Sequence, residues 1–337
     1  MQVDLEASLA PSCIPVPIHS SGFRIADVSV RIDGDHPYDV ALVPTLEVFR
    51  AASHDPDISI KIEWVESLGP AIGKPTVFDS GYVWRLYRRD DELQFDFSAT
   101  SLSEQPYKRL IIDSHFRRAT LKMNRQFFSG SDYVAAPLDY PLDELLIMHR
   151  LTQEKAIELH SCGIVRANGI GNLFVGHSGA GKSTTTRLWT AREDVQILSD
   201  DRIIIRRDAA VVETSLDACG ATSLHGVLCS AQDDKPRHKM RMYGTPWHGE
   251  ARFASPNSAP LARIFILEHG HGNILTQLSP SQAVAELFAR SFVPFHRHEY
   301  VDSALKFLEE VAEAVPVYRY AFEPDERAVD TILNLHD

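Results

Sequence analysis

Residues Gly176-His177-Ser178-Gly179-Ala180-Gly181-Lys182-Ser183-Thr184 constrain the fold of this chain more than any other stretch. They carry the spacing G-x-x-x-x-G-K-S, behind the apolar run Leu173-Phe174-Val175 and ahead of residues suited to a helix. A buried strand, a tight glycine turn and a helix N-terminus are therefore expected in that order. Glycines let the backbone aim its N–H groups at phosphate oxygens, and the helix adds its positive end. In such a loop Lys182 reaches the outer phosphates and the Ser183 hydroxyl ligates a metal ion. Residues 176–184 are the expected binding segment for ATP with Mg²⁺.

Composition narrows the remaining choices. The 337 residues are enough for two ordinary domains, and 44% hydrophobic with 24% charged side chains suits packed cores. The 34 basic against 46 acidic residues leave a net charge of −12, which argues against nucleic acid or anionic membrane as a partner. A homo-oligomer is compatible with this composition. Cys13, Cys162, Cys219 and Cys229 show no C-x-x-C spacing, so reduced thiols are expected rather than a disulfide or zinc framework. No secretory pattern opens the chain and no apolar run nears the roughly 20 residues of a membrane span. A soluble, cytoplasmic protein is the expectation.

Two regions follow from the patterning. Residues 1–136 read as a β-rich recognition or scaffold domain, with alternation in Val28–Ile32 and Ile58–Trp64 and a hairpin turned by Arg89–Glu92. Arg109–Ile112 and Ala119–Met123 read as a second antiparallel pair. Residues 137–337 read as the catalytic domain, opening on a helix after Pro141. Its later part reads as a hairpin, Leu261–Leu267 with Ile274–Leu278, turned at His269-Gly270-His271-Gly272. Ser279 and Gln282 stand at capping-box spacing, and Val301, Leu305 and Leu308 trace an amphipathic helix ending before Pro316. The expected fold is α+β or α/β: the β-rich domain, then a phosphate-loop kinase domain with a mixed sheet.

Three further features carry chemistry. Asp200-Asp201 closes a strand eighteen residues after Lys182, where one carboxylate can hold magnesium and the other accept a proton. His160 lies on the strand before the loop strand, placed to assist that base. In Tyr243-Gly-Thr-Pro-Trp247-His-Gly-Glu250, Glu250 is a candidate metal-side carboxylate, and Arg241 or Arg252 a candidate to neutralise phosphate. The charged segment 231–239 reads as a solvated loop or a substrate clamp.

His160, the loop Gly176–Ser183 and Leu198-Ser-Asp-Asp-Arg202 together resemble the C-terminal catalytic domain of HPr kinase/phosphorylase, over roughly residues 143–335. That family phosphorylates a serine of a small phosphocarrier protein and shares its nucleotide site with phosphoenolpyruvate carboxykinases. The stretch Gly244–Leu261 looks like the divergent HPr kinase-like branch, some of which phosphorylate precursor peptides. The resemblance implies that Asp201 accepts the proton, His160 assists, Lys182 contacts phosphate and Ser183 holds magnesium, with Asp200 and Glu250 completing the metal side. The family's glycine-rich segment for the phosphocarrier is not visible, and Arg241 stands near the place of its magnesium-binding glutamate. An ATP-dependent serine kinase acting on a protein or peptide is the expectation. The alternatives are a small-molecule kinase or carboxykinase-like enzyme and a non-catalytic ATP-binding module.

Overall fold

The computed structural model describes residues 19–70, 76–81, 83–99, 103–128, 136–192, 194–208 and 239–335. Cys13, Cys219, Cys229 and residues 231–238 of the charged segment lie outside them.

Alternation of β-branched residues with polar ones builds the first sheet. Its strands are β1 (His19–Ile25), β2 (Val28–Gly34), β3 (Ile58–Val65), β4 (Thr76–Asp79), β5 (Trp84–Arg89), β6 (Glu92–Ala99), β7 (Ser103–Asp113) and β8 (Arg118–Asn124). They lie in the order β1-β2-β3-β8-β7-β6-β5-β4, with β3 parallel to both β2 and β8 and the other pairs antiparallel. The expected hairpin and the expected antiparallel pair are β5–β6 and β7–β8. Val28, Val30, Ile32, Ile58, Ile60 and Ile62 are buried on one face at period 2. A short helix, α1 (Pro44–Glu47), adds Leu46 to that core.

The second half begins with α2 (Leu142–Leu151) and then forms nine strands. These are β9 (Ala156–Arg166), β10 (Gly171–Val175), β11 (Val195–Ser199), β12 (Arg202–Arg207), β13 (Met240–Tyr243), β14 (Ser258–His269), β15 (Ile274–Gln277), β16 (Ser291–Phe292) and β17 (Val317–Phe322). Helices α3 (Lys182–Arg192), α4 (Pro280–Phe288), α5 (His298–Ala314) and α6 (Arg327–Leu333) complete the second half. Ser279 and Gln282 form the capping box expected at the start of α4.

The expected α/β phosphate-loop kinase fold is not what this chain adopts. The molecule is β-rich throughout, with two mixed sheets and six helices among the described residues. Strands β10, β9, β12, β13 and β14 pair in sequence, and β14 returns to pair with β10 in parallel, closing a five-stranded barrel. The reason is connectivity: β9–β10, β9–β12, β12–β13 and β13–β14 are all antiparallel neighbours, which need no crossover helix. The strand–loop–helix unit β10–α3 is present, but its strand belongs to a closed barrel rather than an open sheet.

A second correction concerns the expected hairpin after Leu261. β14 and β15 do not pair; β17 runs between them, parallel to β14 and antiparallel to β15. No helix among the described residues is long and apolar enough to cross a membrane.

The two halves share hydrophobic contacts. One cluster of buried residues runs from Phe23 and Ile60 through Leu142, Leu145, Leu146 and Ile147 of α2 to Ile204, Tyr243 and Trp247. The Tyr243 hydroxyl donates to Asp27 at 2.6 Å, and Arg206 donates to the Ala26 carbonyl. Cutting the chain before Pro137 would bare this face of α2, and large apolar faces do not stay folded in water. A chain starting at Pro137 is therefore expected to lack a cooperative thermal transition by circular dichroism, whereas a sharp transition would show that the second half folds alone.

Candidate nucleotide and phosphoryl-transfer site

The site grows from one change of partners along β9. Its first part, residues 156–160, pairs with β12, and Leu159 and Glu158 also meet β16. Its second part, residues 161–165, pairs with β10, while β11 pairs from residue 163 onward. Where the partners change, the His160 carbonyl accepts from Gly176 N at 3.1 Å and Ser161 N donates to the Asp201 carbonyl at 3.0 Å. His160 N donates to the Arg290 carbonyl at 2.8 Å. The phosphate loop and the acidic turn are thus bonded to consecutive residues of one strand.

The loop takes the conformation its glycines allow. Gly179 and Gly181 have φ of 82° and 103°, a region that side chains rarely tolerate. A Cβ on Gly181 would also strike the Phe322 ring. Ala180 N donates to the His177 carbonyl at 3.1 Å, closing the turn that leads into α3. The Lys182 ammonium is held by the carbonyls of Gly176 at 2.9 Å and His177 at 3.2 Å. Burial lowers the Lys182 pKa, with the Asp201 carboxylate opposing it. Burial also lowers that of His177, which Arg290 reinforces. Cys162 lies buried under this helix, its thiol pushed up to about 12 by burial, so it stays protonated and unreactive.

His160, Ser178, Gly179, Gly181, Lys182, Ser183, Thr184, Asp200, Asp201 and Glu250 line one cleft of about 390 Å³. The sequence-expected residues are brought together there. The exceptions are Gly176, His177 and Ala180, which are not among the cleft-lining residues. His160 Nε2 and Asp201 Oδ1 lie 2.8 Å apart, and Arg202 donates to Asp201 Oδ2. Burial pushes the Asp201 carboxyl up, but the His160 hydrogen bond and the charges of Arg202, His160 and Lys182 outweigh it. Asp201 is therefore held below the usual carboxylate range and is ionised near neutral pH.

Asp200 is placed differently from its neighbour. It is 1% exposed, and its two oxygens accept from Gly249 N at 3.1 Å, Phe253 N at 3.2 Å and Ala251 N at 2.8 Å. Its carboxylate ties down the 249–253 loop, so a metal ion here would meet only the lone pairs those amides leave. Glu250, on the same loop, reaches the cleft. Among the described residues no three His, Cys, Asp or Glu side chains are grouped to hold a metal. Ser183 and Glu250 suit a magnesium ion that arrives on nucleotide phosphates, because such an ion keeps water and phosphate ligands.

Sequence reasoning missed two cations, and the two it named for phosphate lie away from the cleft. Arg187, one turn into α3, lines the cleft with Nε donating to the Ser183 carbonyl at 3.2 Å. Its four-residue spacing from Ser183 on a helix could have revealed it. Arg202 touches Asp201 directly and no local pattern announces that. Arg241 is instead bound to Asp208 at 3.0 Å on β13, and Arg252 is not among the cleft residues. Trp247, expected to pack over something, is buried with Nε1 donating to Asp143 Oδ2 at 2.9 Å.

Two stability predictions follow from these buried acids. Asp200→Asn puts an amide N–H₂ where three backbone donors converge, and should cost about 1–3 kcal/mol in urea unfolding. An unchanged midpoint would show that those amides find other acceptors. Asp143 is pushed up to about 6, chiefly by burial, with Glu144 adding to it and Trp247 opposing. The unfolded chain loses this proton near pH 4 and the folded chain near pH 6, so rising pH across that window destabilises the fold. Asp143→Asn removes the effect, and its stability relative to the parent should improve by on the order of 1–3 kcal/mol between pH 4 and pH 7.5. An unaltered difference between the two pH values would contradict this.

Compared with known proteins, the chain matches no family model and no curated protein.

Proposed function

We propose that this chain transfers the γ-phosphoryl group of Mg-ATP to the serine hydroxyl of a protein or peptide. The reading rests above all on the shared cleft, where Lys182 and Ser183 of the phosphate loop face the His160–Asp201 pair. A phosphate loop alone serves many nucleotide-binding proteins. An ionised carboxylate beside it, hydrogen-bonded to a histidine, adds a group able to take a proton. The motif resemblance to HPr kinase/phosphorylase supports serine as the acceptor. A cytoplasmic location goes with ATP as the donor.

In this reading the acceptor oxygen attacks the γ-phosphorus in line as the bond to the bridging oxygen of ADP breaks. Asp201 receives the hydroxyl proton late in the step, because a carboxylate held at low pKa is a weak base for a free alcohol. His160 orients Asp201 through Oδ1. Lys182 leaves the carbonyls of Gly176 and His177 for phosphate oxygens, and the loop N–H groups and Arg187 add further positive potential. Ser183 and Glu250 are the residues that would hold magnesium, which would supply charge neutralisation on the phosphates.

The test uses the full chain with Mg-ATP and a library of serine-containing peptides, read by mass spectrometry for phosphoserine and by ADP release. Lys182→Ala should abolish transfer and weaken ATP binding in calorimetry. Asp201→Asn should abolish transfer while ATP affinity stays within several-fold of the parent. Tight ATP binding with no phosphopeptide from any acceptor would favour a regulatory module, and full transfer by Asp201→Asn would remove Asp201 as the proton acceptor.

A further inference from the structure

Arg202 is the meeting point of four elements, and the reaction described above gives it no task. Its guanidinium donates to Asp201 Oδ2, and its Nε lies 2.9 Å from Glu144 Oε1 and 3.5 Å from Glu158 Oε1. The Phe292 ring lies against its flat face, 4.1 Å from centroid to Cζ. Its own carbonyl accepts from the Thr245 hydroxyl at 2.7 Å. Glu144 comes from the first turn of α2, Glu158 from β9 and Phe292 from β16. The side chain therefore has little room to turn.

Glu158 is the unusual member. It stands two residues before His160 on β9, and its carboxyl is fully buried. Among the described residues no N–H or O–H donor makes a hydrogen bond to either of its oxygens. Three ionised carboxylates around one guanidinium would leave a net negative charge in a site shielded from water, which is costly. A proton on Glu158 removes that charge and turns its carboxyl into a donor. Burial and the neighbouring Glu144 carboxyl both push Glu158 well above the ordinary carboxylate range.

We propose that Arg202 is a positioning residue for the Asp201–His160 pair, gripped in turn by Glu144 and a protonated Glu158. With Oδ2 fixed by Arg202, Asp201 presents Oδ1 to His160 and cannot swing toward Lys182, its attractive neighbour across the cleft. The grip also gives the N-terminal half a hand in the chemistry, because α2 packs its apolar residues into the first core while its Glu144 holds Arg202. This inference rests on the reading of Asp201 as the proton acceptor.

The experiment compares Arg202→Gln, Arg202→Lys and Glu144→Gln in the full chain. Arg202→Gln should lower kcat about 100-fold, the scale of a misplaced catalytic group, with KM and Kd for Mg-ATP within about twofold. Arg202→Lys, which keeps the charge but not the planar fork, should recover part of the loss. Glu144→Gln should lower kcat in the same direction and likewise spare KM. Nuclear magnetic resonance of the His160 imidazole, which needs no acceptor, should show the bond to Asp201 weakened in Arg202→Gln. A folded Arg202→Gln with parental kcat, or one that loses kcat and ATP affinity equally, overturns the proposal. If Arg202→Gln does not fold, unchanged kcat in both Arg202→Lys and Glu144→Gln overturns it. Should the parent chain transfer phosphate to no acceptor, the kinase reading fails, and an undisturbed His160 resonance in Arg202→Gln would separately sink the grip.

Discussion

Two consecutive peptide units of β9, at His160 and Ser161, hold the whole site together. Through them β9 is hydrogen-bonded to the first glycine of the phosphate loop, to the carbonyl of Asp201 and to the carbonyl of Arg290. Backbone bonds in a buried strand are short, directional and expensive to leave unmade, so they set positions more firmly than flexible side chains can. Everything else in the cleft takes its place from this junction. The His160 side chain emerges there, next to Asp201, because β12 begins at Arg202 opposite His160.

From that junction, electrostatics sorts the two adjacent aspartates into different tasks. Asp200 turns inward and is saturated by three amides of the 249–253 loop. Asp201 turns outward and is shared between His160 and Arg202. The bend between β11 and β12 sends the two neighbours different ways, so one carboxylate builds the loop and the other faces the cleft. The same loop carries Glu250 into the cleft and Trp247 back onto Asp143, linking the acidic turn to α2.

Helix α2 ties the site to the first sheet. Its apolar residues Leu142, Leu145, Leu146 and Ile147 belong to the N-terminal core, while Asp143 and Glu144 in its first turn reach Trp247 and Arg202. The cleft-lining residues all follow residue 155, yet the surroundings that hold them draw on both halves of the chain.

The sequence by itself determined what depends on near neighbours. The phosphate loop with its flanking strand and helix, the β5–β6 turn, the Ser279 capping box and most strand boundaries follow from local geometry, side-chain period and backbone freedom. His160, Lys182, Ser183, Asp201 and Glu250, named together from the sequence, do line one cleft. Tertiary structure alone decided which strands pair. The closure of β10 onto β14, the insertion of β17 between β14 and β15, and the barrel in place of an α/β sheet were not legible. A strand's exposed N–H and C=O groups accept any partner of suitable twist and register, so the choice is made by distant segments competing for one core. The Asp200 loop bonds and the grip on Arg202 belong to the same class: their partners stand more than 40 residues away in the chain, and only the fold brings them together.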